Sequence, residues 1–185
     1  MTVHRLTSGR LRALVESVVR AGVIVLALAA NAPAETLDRV LAVVNGDVIT
    51  LSDVSAAREL GLVGAPAPAG ADPMAAVLSA LIDRQLELDE VERYAPPEPP
   101  VEAVDRGVAA ARARFPTAAA FEAALARSGL TLPRLRGWLR DDLRISAYLN
   151  QRFSTDDERR RQSMEDWLSG LRRRAEIAEL YSTGR

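Results

Sequence analysis

The spacing of hydrophobic positions changes character twice along this chain. Over residues 40–50, VLAVVNGDVIT, apolar residues crowd around Asn45-Gly46. This is the preferred two-residue hairpin turn, because both of its residues tolerate positive φ, and it predicts a β-hairpin over about 38–50. Leu41 and Val43 point one way along the first strand, and Val40, Ala42 and Val44 the other. Both faces are therefore apolar, and the strand is expected to be covered on two sides. Thr50 and Asp53 follow as a capping box in outline, opening a short helix over 51–62.

From there the period is helical. GAPAPAGA (64–71) is a linker, and Asp72-Pro73 supplies an N-cap followed by proline in the first turn. Met74, Val77, Leu78, Leu81, Ile82, Leu86 and Leu88 then recur at helical spacing to Tyr94, where PPEPP ends the helix. Residues 101–114 predict a third, alanine-rich helix. Phe115-Pro116-Thr117 breaks it and caps a fourth that runs to Ser128-Gly129, and Thr131-Leu132-Pro133 opens a fifth. On the fifth helix Leu135, Trp138, Leu139, Leu143, Ile145 and Leu149 spread over an arc of roughly 160°, wider than one helix contact requires. That helix should touch more than one neighbour or line a groove.

The polar run FSTDDERRRQ (153–162) reads as a linker, centred on 154–160, into a last helix carrying Met164, Trp167, Leu168 and Leu171. Ile177 and Leu180 leave that stripe, so AEIAELY reads as a short strand after a helix ending near Arg174. A hairpin at one end and a strand at the other are expected to pair. The predicted fold is mainly α: a helical bundle with a small β-sheet formed by the N-terminal hairpin and the C-terminal strand. It comprises residues 35–153 together with the helix and strand over 161–181, within one domain spanning 35–185.

The first 34 residues have a different logic. Arg5, Arg10, Arg12 and Arg20 precede the apolar run AGVIVLALAA, and Ala32 and Ala34 stand in an A-x-A arrangement. These are the parts of a cleavable secretory signal peptide, with the cut after Ala34. The run is shorter than the roughly 20 residues that span a bilayer, so no permanent membrane insertion is expected, although the long basic region leaves a retained anchor as the second reading. Export from the cytoplasm is therefore expected.

Residues 1–34 hold four of the 24 arginines and one of the 25 acidic residues, so the remainder carries a net charge of −4. That argues against nucleic acid as a partner. The chain has no cysteine and no lysine, and its one histidine, His4, lies in the signal. Thiolate zinc sites, Schiff-base chemistry and histidine-based triads are excluded from the mature part. Carboxylates such as Asp141-Asp142, Asp156-Asp157-Glu158 and Glu165-Asp166 read as solvated faces, with arginines at pairing distance along the helix, as in Asp89 with Arg93. Arg172-Arg173-Arg174 complements the negative end of the last helix. Asn45-Gly46 reads as a turn and not a ligand site. No phosphate-binding glycine loop, GxSxG or HExxH occurs, so no catalytic residue, metal site or cofactor is expected.

Half of the eight aromatic residues, Trp138, Tyr148, Phe153 and Trp167, fall on the last two helices or at their ends. The candidate peptide-binding groove is accordingly Leu139, Leu143 and Tyr148 on the fifth helix with Trp167 and Leu171 on the last. Either this apolar surface holds extended polypeptide transiently, or it docks permanently on one envelope protein or assembly machine.

Four segments carry a resemblance: LDRVLAVVNGDVITLSDV, ALIDRQLELDEV, RARFPTAAAFEAALARSGLTLPRLRGWLRDDLRISAYL and MEDWLSGLRRRAEIAEL. Together they resemble the chaperone domain of the SurA-type periplasmic foldases over nearly the whole mature chain. The resemblance implies that the terminal strand joins the N-terminal hairpin. It also implies a periplasmic location and a role in holding unfolded outer-membrane or secreted polypeptides there without ATP. Isomerase-active members carry a parvulin module between the fifth and last helices. Here about ten polar residues stand in that place, far below domain size, so no prolyl isomerase activity is expected.

Overall fold

The computed structural model describes residues 38–64, 70–153 and 157–182. The expected signal peptide lies outside the described residues. Val40–Val44 (β1) and Asp47–Thr50 (β2) form the hairpin, with Asn45 at φ 51° and Gly46 at φ 100°. Ile177–Glu179 (β3) pairs antiparallel with the other side of β1, giving the sheet order β2-β1-β3. The fold is thus a helical bundle closed by a small antiparallel sheet made from the two ends of the described chain.

The β1–β2 register skips Leu41: Val40 faces Thr50 and the next pair is Ala42 with Ile49. This bulge explains the apolar run differently from the expectation of two covering layers. Two opposed residues on β1 answer one step on β2, so consecutive Leu41 and Ala42 both enter the core. The opposite face is open among the described residues: Val48, paired with Val43, is 52% exposed. Leu41 also anchors the far strand, its carbonyl accepting from the backbone N–H of Leu180 and Tyr181 at 2.8 and 3.2 Å.

Six helices follow among the described residues: α1 Leu51–Glu59, α2 Pro73–Tyr94, α3 Val101–Ala113, α4 Ala118–Ser128, α5 Leu132–Arg152 and α6 Asp157–Arg174. The side chains of Thr50, Asp72, Thr117 and Thr131 each accept from an amide in the first turn, and Thr50 with Asp53 completes the capping box. α1 is shorter than the sequence suggests. It stops at Glu59 because Gly61 takes φ 59° and Arg114 Nη1 donates to the carbonyls of Leu60 and Gly61 at 3.0 and 2.6 Å.

α6 begins earlier than expected, so residues 157–160 of the presumed linker are helical. Charge misleads there: Glu and Arg are good helix formers, and acids at a helix start suit the dipole even where no apolar stripe exists.

The core has three parts. Leu41, Val44 and Ile49 of the sheet meet Val54 of α1, Leu78 and Ile82 of α2 and Leu171 of α6. Leu60 packs with Phe121, Leu125 and Leu135 between α1, α4 and α5. Val91 packs with Ile145, Tyr148 and Leu149 between α2 and α5. The wide apolar arc of α5 is used as its width implied, because α5 feeds the second and third parts and sends Trp138 to the first. No described helix is long and apolar enough to cross a membrane.

Candidate functional site

The five residues singled out from the sequence do not line one groove. Tyr148 and Trp167 do meet, with ring centroids 6.1 Å apart, and Tyr94 and Phe153 extend the cluster at 5.4 Å from Tyr148 and 5.6 Å from Trp167. The centre of this cluster is filled, although Tyr94 at its edge is 60% exposed. Tyr148 is only 7% exposed, and the Arg152 guanidinium lies 5.7–5.9 Å from the rings of Phe153, Trp167 and Tyr148 while donating to the Tyr148 hydroxyl at 3.2 Å. Burial holds the Tyr148 hydroxyl above its ordinary range, against the pull of Arg152. Leu171 belongs to the sheet-side core, Leu139 turns towards α3, and Leu143 is half-buried on α5.

Open apolar surface lies elsewhere, along α3 and α5. Val101, Val104 and Val108 recur at helical spacing on α3, with Val101 exposed, Val108 half-buried and Val104 buried, and Gly107 faces α5, where a Cβ would meet Leu139 Cδ1 at 3.4 Å. Two adjoining hollows result. One, of about 470 Å³, has an apolar floor of Pro99, Val101, Val104, Pro133 and Gly137 with Glu98, Arg136 and Arg140 at its rim. The other, of about 420 Å³, is formed by Val108, Ala109 and Ala113 with Asp105, Arg112 and Arg136. Arg136 lines both and is paired to Asp105 at 2.6 Å. Val101 is 63% exposed and Leu132 is exposed nearby.

The sequence carried a signal for this groove in the 101/104/108 valine stripe and in the two glycines, Gly107 and Gly137. Read as an alanine-rich helix, the segment concealed it.

A third hollow, of about 390 Å³, is polar. It lies where the hairpin turn meets the second half of α2 and the end of α6, with Asp47, Asp89, Glu90 and Glu92 facing Arg93 and Arg174; Leu171 contributes to its wall. Part of its charge is partnered within the hollow. Asp89 accepts from Asn45 Nδ2 at 2.6 Å and Gln85 Nε2 at 2.9 Å, and Arg93 pairs with Glu90 at 2.9 Å rather than with the expected Asp89. Among the described residues, no group of three or more His, Cys, Asp and Glu side chains is placed to hold a metal ion.

No protein-family model and no curated protein sequence matches this chain.

Behind the groove, the opposite face of α5 meets α2 through charge. Arg84 Nε donates to Asp142 Oδ1 at 2.8 Å, Nη2 donates to the Trp138 carbonyl at 3.1 Å, and the guanidinium stacks 4.2 Å over the Trp138 ring. Arg172 of α6 donates to Asp83 Oδ1 at 2.5 Å and to Ser79. The arginines at the end of α6 therefore do more than complement its dipole: Arg172 ties that helix to α2.

Proposed function

We propose that this protein is an ATP-independent, SurA-like chaperone of the periplasm, without prolyl isomerase activity, that holds extended apolar segments of unfolded outer-membrane or secreted polypeptides along α3 and α5. The observation that carries the reading is the apolar hollow along α3 and α5, with Val101 exposed at its mouth, Val108 half-buried and Val104 buried at its base, rimmed by arginines already paired to acids. A groove of this kind gains affinity from apolar area while its neutralised rim adds little to retention, which suits a holder that must release its client. The closure of the sheet by the C-terminal strand supports the likeness to the SurA-type domain.

Unrelated unfolded proteins should stay soluble in the presence of the purified protein, and Val101→Asp with Val108→Asp should abolish the protection while leaving the helical content intact. Protection that survives both substitutions would remove the groove from the reading. Isomerisation of an X-Pro peptide should proceed at its uncatalysed rate.

The exposed Val48 and Leu180 at the sheet favour a second reading, permanent docking on one envelope protein. In that case the chain would co-purify with a single partner and leave unrelated aggregation unchanged.

A further inference from the structure

Carboxylates gather at the seam between α2 and α5: Asp83 and Glu87 on α2 and Asp142 on α5, with Asp141 beside it and paired to Arg140 and Arg144. The guanidiniums that meet the first three are Arg84 on α2 and, from the neighbouring α6, Arg172. Both arginines are committed: Arg84 to Asp142, the Trp138 carbonyl and the Trp138 ring, and Arg172 to Asp83 and Ser79. Among the described residues Glu87 has neither a hydrogen bond nor an ion pair, although it is half-buried one helical turn from Asp83 and within electrostatic reach of Asp142. Each of these arginines has a carboxylate partner, and Glu87 is the half-buried carboxylate of the cluster left without one.

We propose that Glu87 is a proton-operated latch on the α2–α5 seam: uncharged, it packs beside Asp83 and Asp142 and α5 closes on α2; ionised, it is a surplus carboxylate that loosens the contact. Burial, the charge of Asp83 and the charge of Asp142 push Glu87 up to about 7, against the pull of Arg84. Asp142 is also held above its ordinary value, by burial first, with Arg84 opposing. α5 carries the response outward, because Trp138 and Asp142 face the seam while Gly137 and Arg140 of the same helix line the groove. The latch concerns the seam itself and does not depend on what the groove binds.

The sign is fixed by linkage. A carboxyl raised in the folded state binds a proton there that the unfolded chain has already lost, so stability falls as pH rises from about 4.5 to about 7 and levels off above.

Carboxyl NMR of the whole chain, titrated between about pH 3 and 9, reads the latch directly, with the Trp138 indole resonance as the reporter on the far side of the seam. The Glu87 carboxyl should titrate with a midpoint near 7, and the indole should shift at the same midpoint. The folding equilibrium constant should fall across that window by up to roughly 10²-fold. Glu87→Gln should remove the indole step and flatten the pH dependence. A Glu87 carboxyl that titrates near 4.5, or an indole step that persists in Glu87→Gln, overturns the proposal. The wild-type titration decides the matter even if the variant does not fold.

Discussion

Asn45 shows how much one residue can do beyond the role its dipeptide announces. As half of Asn45-Gly46 it supplies the positive φ that the hairpin turn needs. Its side chain then ties three elements together, with Nδ2 donating to Asp89 of α2 at 2.6 Å and Oδ1 accepting from the Glu176 backbone N–H at 3.0 Å, just ahead of β3. The turn was legible because it is local. The bridge was not, since its partners lie 44 and 131 residues away. Asn45→Asp separates the two roles: aspartate tolerates the backbone and still accepts from Glu176, but it replaces a donor to Asp89 with a carboxylate oxygen. At neutral pH it should cost about 1–2 kcal/mol in urea unfolding. The loss should shrink as pH falls through the carboxylate range, where a protonated acid can donate again. Asn45→Gly, which keeps the turn and loses both bonds, should show no such recovery with acid.

At the scale of elements, starts were easier to read than neighbours. Thr50, Asp72, Thr117 and Thr131 cap helices through atoms within a few residues, so sequence alone places them. A helical wheel identifies which face of α5 is apolar but not which helix meets each sector. For that reason Leu139, Tyr148 and Leu171, read as one lining, were dealt to three different packings. At the α3–α5 contact Gly107 leaves room for a methyl but not for a longer side chain, which can be read only once Leu139 is known to stand opposite. Gly107→Ala should stabilise the protein by about 0.5–1 kcal/mol, because alanine is the better helix former and its methyl meets Leu139 at an ordinary contact distance. Gly107→Leu exceeds the space, should push α3 from α5 and should cost about 1–3 kcal/mol. Thermal or urea midpoints of the pair check both signs, and two destabilising results would mean that the helices are closer than this packing allows.

For the molecule as a whole, the two ends of the described chain are the fastening. Their pairing was legible because an unpartnered apolar hairpin and a terminal run off the helical stripe leave each other as the obvious match. The bulge at Leu41 was not, because register depends on where the second strand docks. Beyond Arg174, β3 pairs with β1, Leu180 and Tyr181 donate to the Leu41 carbonyl, Ile177 and Tyr181 pack on the sheet-side core, and the Tyr181 hydroxyl donates to Asp72 at 2.6 Å. The bond from Tyr181, then the Met74 amide, hold the Asp72 carboxyl below its usual value. That part of the clasp is present above the ordinary aspartate range and is lost as pH falls through the lowered value. A chain ending at Arg174 keeps Leu171 in the core and Arg172 on Asp83, yet it leaves β1 an open edge and the α2 N-cap without its tyrosine. Several backbone bonds at about 1 kcal/mol each, with the apolar area of Ile177 and Tyr181, put the loss at roughly 3–5 kcal/mol, a large share of the 5–15 kcal/mol that holds a typical domain folded. Urea unfolding should show that drop, and limited proteolysis should cut α6 before any other helix, since the strand that follows it is what pins its end to the sheet. An unchanged midpoint with α6 equally resistant would mean that α6 is held through its own face alone, by Leu171 and the Arg172–Asp83 pair, with the sheet contributing nothing to closure.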